Sequence, residues 1–174
     1  MAFDAYLYIT TIEGESTSKV TKPAGADKAP MEIYSFSFGA SNPVTISSAA
    51  AGSGGGKVAL SSFNVMKKSE KSSALLFAAC AKGTHFDKAI VVLRKAGGDA
   101  GQSDFLRYTF STVFIESIQW SGSSGGDDSP TESLSIAFGA VKIEYLKQDK
   151  KTGATTADQV AMWSNIANDA TETV

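Results

Sequence analysis

Apolar and polar positions alternate along several stretches of this chain of 174 residues, and the alternation predicts strands. The clearest stretch is MEIYSFSFGA at residues 31–40. Successive side chains of a strand point to opposite faces. One face is therefore expected to be buried and aromatic and the other to be small and polar: Tyr34, Phe36 and Phe38 against Ser35 and Ser37. Such a division is typical of an antiparallel sheet.

Further strands are predicted at residues 3–12, 57–67, 89–93, 105–120 and 132–146. The AIVVL run at 89–93 is apolar throughout, which indicates a strand covered on both faces. In the strand at 105–120, the large apolar residues are expected on one face: Leu106, Tyr108, Phe110 and Phe114.

The strand at 132–146 changes its alternation halfway along. The apolar positions are first even and then odd: Leu134, Ile136 and Phe138, followed by Val141, Ile143 and Tyr145. A slip of one residue turns every later side chain to the other face. A β-bulge or a sharp bend is therefore predicted at Gly139–Ala140.

One short helix is predicted before Gly83, which suits the position just after a helix C-terminus. Ser69 and Ser72 are both suitable N-cap residues. The helical spacing places four residues on one face, which is expected to pack on the sheet: Ser73, Leu76, Phe77 and Cys80. The tail at 149–174 is mostly polar, and its residues 160–166 fit either a short strand or a turn of helix.

The segment SNPVTISSAAAGSGGG at residues 41–56 contains no large side chain and is predicted to be an extended loop. A long loop without regular structure is unusual in a compact domain and is usually functional. A flexible linker is the alternative interpretation. Several long strands, one helix and no alternation of strand and helix predict a mainly β, antiparallel fold in a single domain spanning 1–174. Strands of this length curl into a barrel or split into two packed sheets.

Candidate chemistry is sparse. Gly56-Lys57 is followed by Val58 and a strand, so the phosphate-binding motif and its helix are both missing. Cys80 and His85 are separated by the predicted helix end, which disfavours a nucleophile–base pair. Asp127-Asp128 is too small a carboxylate set for a calcium loop. With a single Cys and a single His, a zinc site within one chain is not expected. The sequence therefore predicts no catalytic residue, no metal and no cofactor.

Charge and hydropathy exclude further classes. The formal net charge is −2 with scattered Lys and Arg, so no nucleic-acid partner is expected. No apolar run approaches the ~20 residues that span a bilayer, and MAFDAYLYITTI at the start has no basic leader, so neither membrane insertion nor a signal peptide is expected. The serine and threonine faces of the strands fit a water-filled lumen, a packing surface or an ordinary solvent-facing sheet, and the pattern leaves these open.

The chain resembles the haemolysin-coregulated protein (Hcp) family, the tube subunits of type VI secretion systems. The resemblance extends from residue 3 to residue 163 and is strongest between residues 54 and 98. The motifs that carry it are Gly56-Lys57-Val58, Ala79-Cys80, Gly83-Thr84-His85, LRKAGG at 93–98, SFSFGAS at 35–41 and VKIEYLKQD at 141–149. The chain departs from the family at Phe36-Ser37-Phe38, where Trp-x-Trp is frequent, and at Ser129, where Arg is common.

The resemblance implies an antiparallel β-barrel of two packed sheets with one short flanking helix. It implies homohexameric rings that stack into a tube, with a spike protein, a contractile sheath, baseplate components and small effector proteins as partners. The tube would assemble in the bacterial cytoplasm and leave the cell on contraction. A ring-shaped effector carrier or chaperone that forms no long tube is the alternative.

Two surfaces are assigned on this basis. Ser35 and Ser37 are expected to line the ring interior and meet cargo. The loop at 41–56 is expected to contact the next ring, through Ser41, Asn42, Val44, Gly52, Gly54, Gly55 and Gly56. Small residues let one backbone approach another closely, and binding would order a loop that has no core of its own.

Overall fold

The computed structural model describes residues 3–18, 22–45, 54–95, 103–125, 129–149 and 155–172. Strands dominate these ranges, and a single helix, α1, is found in them. The strands and the helix are β1 Phe3–Ile9, β2 Met31–Ile33, β3 Ser35–Ser37, β4 Ala40–Ser41, β5 Val44–Thr45, β6 Gly54–Gly55, β7 Ala59–Leu60, β8 Phe63–Lys68, α1 Ser73–Lys82, β9 His85–Lys95, β10 Ser103–Ser121, β11 Thr131–Gln148 and β12 Thr155–Ser164.

A large antiparallel sheet forms the body of the molecule, in the order β2-β1-β9-β10-β11-β8-β3, and β12 also pairs with β11. Only Tyr34 separates β2 from β3 in the chain, and its N–H donates to the carbonyl of Met66 in β8 at 2.8 Å. The two edges of the sheet therefore meet, and the sheet closes into a barrel. The fold prediction, an antiparallel β-barrel of two packed sheets with one short flanking helix, is confirmed: the described strands form this large sheet and two two-stranded sheets.

Aromatic rings fill the middle of the barrel. Phe36 stacks on Phe63 at 5.5 Å between ring centroids, and Phe63 lies 4.9 Å from Phe110. β9 contributes to two clusters. Its residues Ala89, Val91 and Leu93 face this core, whereas Ile90 and Val92 pack outside against Tyr6 and Tyr8. The prediction that this strand is covered on both faces is confirmed.

The hydroxyl of Tyr8 in the outer cluster is buried, and no hydrogen-bond partner for it lies within the described ranges. Burial raises the pKa of this phenol to about 12, because the phenolate would lose its hydration.

Tyr8→Phe is expected to keep or raise stability at neutral pH, by about 1 kcal/mol, because it removes an unpaired buried hydroxyl. The folded-state pKa of Tyr8 is raised, so stability is lost as pH rises from the unfolded value towards about 12. The variant should therefore lose less stability than the parent in that window. Urea unfolding at pH 7 and pH 11 measures both effects. A variant that is less stable than the parent at pH 7 would show that the Tyr8 hydroxyl has a stabilising partner.

Two strands bend together near the middle of the barrel. Phe110 and Val113 are both core residues of β10, and Phe138 and Val141 both face the core from β11. The pairing of Ser111 with Ala140 and of Val113 with Phe138 continues without a register shift. The slip predicted at Gly139–Ala140 is therefore a bend shared by both strands, and Thr112 turns it with a φ of 52°. The register shift between these strands occurs further on, between Ile115 and Ser117.

Because of the bends, two aromatic residues do not lie on the faces predicted for them. Phe114 follows Thr112, so it lies on the outer face beside the His85 ring and not with Phe110. Tyr34 sits at the bend between β2 and β3, and it is 53% exposed while Phe36 and Phe38 pack on the core.

α1 begins after Ser72 and ends at Gly83, whose φ of 64° is the left-handed conformation expected there. Neither predicted N-cap bonds the helix, because the Ser72 hydroxyl donates to Glu70 and the Ser69 hydroxyl to Glu132. Leu76 and Ala79 are buried against the barrel. The predicted face is wrong at Phe77, which is 55% exposed and packs beside Trp120.

Candidate assembly surfaces

Ser35 and Ser37 belong to a small, mostly neutral polar face on the outside of the barrel. Both serines are exposed. Across the sheet, Ser35 pairs with Met66, and Met66 pairs with Ser133. In the same way, Ser37 pairs with Asn64, and Asn64 pairs with Ser135. Side chains directly opposite each other share a face. The structure therefore brings the two predicted residues together with Asn64, Ser133 and Ser135, and with the exposed side chain of Met66.

Glu116 is held at the edge of this face by two serines. The Ser62 and Ser135 hydroxyls donate to the same carboxylate oxygen at 2.6 and 3.1 Å. These hydrogen bonds favour the ionised form and lower the pKa of Glu116 below its ordinary value.

Ser62→Ala is expected to raise the pKa of Glu116 towards its ordinary value, because the shorter of the two hydrogen bonds is lost. The lowered folded-state pKa contributes stability that is present above the unfolded value and lost as pH falls through the folded value. The variant should therefore show a smaller loss of stability on acidification. An NMR titration of the Glu116 side chain measures the shift. Ser133→Ala is the matched control, and an equal shift in both variants would contradict the assignment.

The predicted loop at 41–56 is a two-stranded ribbon at both of its described ends. β4 pairs with β7, and β5 pairs with β6, so the chain leaves and re-enters the barrel as an antiparallel arm. The expectation of a long loop without structure is wrong for these ends. Ser41, Asn42 and Val44 are exposed on the arm, with Val44 61% exposed. Gly52 lies outside the described residues.

Gly56 closes this ribbon. Its N–H donates to the carbonyl of Pro43 at 2.8 Å. A Cβ atom at position 56 would lie 2.7 Å from Pro43 Cγ and 2.9 Å from Pro43 O. The glycine therefore has a role inside the protomer, because only a residue without a side chain permits this contact.

The tail forms β12, Thr155–Ser164. Of the two structures that the sequence allowed for residues 160–166, the strand is therefore the one observed, as far as Ser164. β12 pairs with β11 from Ala140–Ser164 to Gln148–Thr155. Beyond the strand, the buried Ser164 receives the Ala167 N–H on its hydroxyl and donates its own N–H to the carbonyl of Asp169. No other described strand pairs with the outer edge of β12.

A buried ion pair lies beneath the N-terminus of α1. Lys67 and Glu132 are cross-strand partners in β8 and β11, and both side chains are almost fully buried and paired. The other Glu132 oxygen accepts from Trp120 Nε1 at 2.8 Å. Lys67 also lies 3.5 Å from Glu70, which accepts the Glu15 N–H at 2.8 Å. The network joins β8, β10, β11, the start of α1 and the N-terminal segment.

This network was not predicted from the sequence, although its signal is present in the alternation of inward and outward residues. Lys67 continues the inward positions of Phe63 and Val65, and Glu132 precedes the inward Leu134. A charged residue at an inward position indicates a buried partner.

The residues weighed for chemistry are dispersed. Cys80 is half-buried, with its thiol 3.7 Å from the carbonyl of Glu116. His85 is exposed at the start of β9, beside the Phe114 ring. Asp127 and Asp128 lie outside the described residues. Within the part of the chain that the structure describes, no group of three metal-ligating side chains comes together. The same part contains no helix with the length and hydropathy to cross a bilayer.

Comparison with known proteins agrees with this architecture. Residues 6–145 match the family model described as type VI secretion system effector, Hcp. Protein hcp1 of Pseudomonas aeruginosa is 34% identical over 110 residues, which cover 63% of this chain and 66%, just under two thirds, of that protein. A solved type six secretion system protein superimposes with a TM-score of 0.85 at 31% identity, covering 98% of this chain and 100% of the other. Hcp1 from Salmonella typhimurium gives a TM-score of 0.75 at 27% identity, with the same coverage.

The protein is therefore of the class of β-rich structural proteins of type VI secretion. More closely defined, the chain belongs to the Hcp family.

Proposed function

We propose that this protein is the structural subunit of a type VI secretion inner tube. Homohexameric rings stack head-to-tail, a contractile sheath expels the tube, and small effector proteins travel in its lumen. The rings assemble in the bacterial cytoplasm on a baseplate, carry a spike protein at the tip and leave the cell on contraction of the sheath. The function is structural and not catalytic.

The two-stranded ribbon is the observation that carries this proposal. Among the described elements, β5 pairs with β6, and Val44 of β5 is 61% exposed. An arm of this kind contributes little to the stability of one protomer and is suited to contact with another copy. Head-to-tail stacking needs such a contact, since two different patches must meet between rings.

The polar face around Ser35 and Ser37 supports the lumen assignment. Its alcohol and amide groups are hydrated and mostly uncharged, so a passing cargo protein would meet few apolar groups. Ring closure needs a further pair of different patches on each protomer, each contact burying on the order of 1,000 Å² or more.

Assembly is tested with purified protein. Light scattering at micromolar concentration should give the mass of a hexamer, and electron microscopy should show rings and stacked rings. Protein in the medium of producing cells should depend on the sheath. A monomer would overturn the proposal. Stable rings that never stack, inside or outside the sheath, would favour the alternative, a ring-shaped effector carrier.

The lumen assignment has its own test. Ser37→Arg should leave the hexamer intact and reduce retention of a co-expressed effector, because the substitution places a long charged side chain on the cargo face. Thr84→Arg, which adds the same charge at an exposed position after α1, is the control. Equal retention in both variants would remove Ser37 from the cargo surface.

A further inference from the structure

The strand β12 has a free edge with a defined start and end. Among the described strands, only β11 pairs with β12. The register with β11 shifts at Asp158, which has no residue opposite it. At the other end, the Ser164 N–H donates to the carbonyl of Asp169 at 2.8 Å. The free edge therefore lies between these two points, at residues 159–163.

The hydrogen bonds at the end of β12 show which backbone groups face this edge. The Asn165 N–H donates to the carbonyl of Gly139 in β11 at 2.8 Å, whereas the N–H of Ser164 points away from β11. Successive residues of an antiparallel strand direct their backbone groups to opposite edges. The register is unbroken over this part of the strand. Val160 and Met162 therefore direct their N–H and C=O groups away from β11, and no described strand pairs with them.

The side chains of β12 are also without cover. Every residue from 155 to 162 is exposed, so neither face of this part of the strand packs on the barrel. Val160 is 47% and Met162 39% exposed. Edge strands are usually protected by lysine, by proline or by being short, but β12 has ten residues and contains neither lysine nor proline. Exposed apolar side chains beside free backbone groups indicate a strand partner.

The ribbon has an edge of matching form. Pro43 and Gly56 face each other, because the Gly56 N–H donates to the carbonyl of Pro43. By the same alternation, Gly55 directs its backbone groups to the outer edge of β6. Gly54 and Gly56 flank it, so this edge has no side chains. A bare backbone permits close approach and fits under the exposed apolar side chains of β12.

One charge on each edge complements the other. Lys57 is the only charged residue of the ribbon, residues 40–60, and Asp158 is the only one in β12. Both are exposed, and neither forms an ion pair with another described residue. An antiparallel pairing that sets Gly55 opposite Val160 places Lys57 beside Asp158. The free backbone groups and the opposite charges therefore agree on one register.

We infer that the ribbon of one copy adds to the outer edge of β12 in a second copy of this chain, in the next ring. Gly55 pairs with Val160 of the partner subunit through backbone hydrogen bonds, and Lys57 pairs with Asp158 of the partner subunit. The inference rests on the proposed function and identifies the surface that receives the ribbon.

A mixing experiment tests whether the contact joins two copies. In Lys57→Asp both positions are negative, and in Asp158→Lys both are positive, so each variant alone should need about tenfold more protein to stack, because the contact recurs around the ring. Between the two variants the charges are opposite. Mixed rings should therefore stack like the parent at low salt, as measured by sedimentation and electron microscopy. Lys82→Asp and Asp87→Lys, at exposed positions elsewhere, are the controls and should stack like the parent.

A second variant tests the backbone pairing. Val160→Pro removes an N–H that makes no bond to β11, so the hexamer should remain and stacking should be lost. Parent rings that stack together with single variants or Val160→Pro that stack equally well would overturn this inference and leave the proposed function standing. So would a mixture that behaves as the average of its components while the double variant is restored, because the charges would then meet within one copy. A parent that forms no rings or stacks would overturn both.

Discussion

Lys67→Met is expected to lower the free energy of unfolding by about 3–5 kcal/mol, the largest effect of any single substitution proposed for this chain. The change leaves the carboxylate of Glu132 buried without its counter-ion. Trp120 and Ser69 still donate to that carboxylate, but neither supplies a positive charge. Urea unfolding at fixed protein concentration measures the loss, because ring formation would otherwise change the apparent stability.

A double variant provides the matched control. In Lys67→Met/Glu132→Leu both charges are replaced by apolar groups, so no uncompensated charge remains. The double variant should recover a large part of the stability, since a buried ion pair is often no better than well-packed apolar residues. A double variant as unstable as Lys67→Met would show that the surrounding hydrogen bonds, and not the pairing of charge, stabilise this end of the barrel.

Gly56→Ala is expected to abolish tube formation while the barrel still folds. The added Cβ would collide with the ring and carbonyl of Pro43, so the hydrogen bond that closes the ribbon would be strained or lost. The buried barrel core lies elsewhere, in β1, β2, β8–β11 and the inner face of α1. Circular dichroism should therefore show a folded β protein, light scattering should still show the hexamer, and electron microscopy should show no stacked rings.

Gly39→Ala is the control for this experiment. Gly39 lies at the base of the same ribbon, and a Cβ there would meet only the Ser61 hydroxyl at 4.0 Å. This variant should form tubes like the parent. Loss of the hexamer in Gly56→Ala would show that the ribbon supports ring closure, and its assignment to stacking would be withdrawn. Normal tubes in Gly56→Ala would remove the ribbon from the stacking contact.

The local pattern was sufficient where a single strand or helix determines the outcome. The apolar run at 89–93 predicted a strand covered on both faces, because a continuous apolar run places apolar side chains on both faces of a strand. Gly83 predicted the helix end, because the left-handed conformation there suits glycine. The change of alternation at Gly139–Ala140 predicted a bulge or a bend, because a slip of one residue would otherwise turn the later apolar side chains away from the core. The motifs between residues 54 and 98 led to the family.

The direction of individual side chains depended on how strands pair. Tyr34 and Phe114 have the spacing expected of inward-facing residues. Tyr34 lies in a bend and Phe114 follows one, and each bend reverses the alternation. Phe77 fits the helical stripe but lies beside Trp120 at the rim, since the position of α1 on the barrel decides which side of the stripe is covered.

The sequence by itself therefore determined the long strands of the barrel, the helix end and the family, because each of these depends on residues that are close together in the chain. Only the tertiary structure decided the pairing of Lys67 with Glu132 and the ribbon closed by Gly56 on Pro43. Each of these joins residues that are distant in sequence or sets a close approach of two backbones. A periodic pattern identifies the face on which a residue lies, but the pairing of strands selects the neighbour across from it.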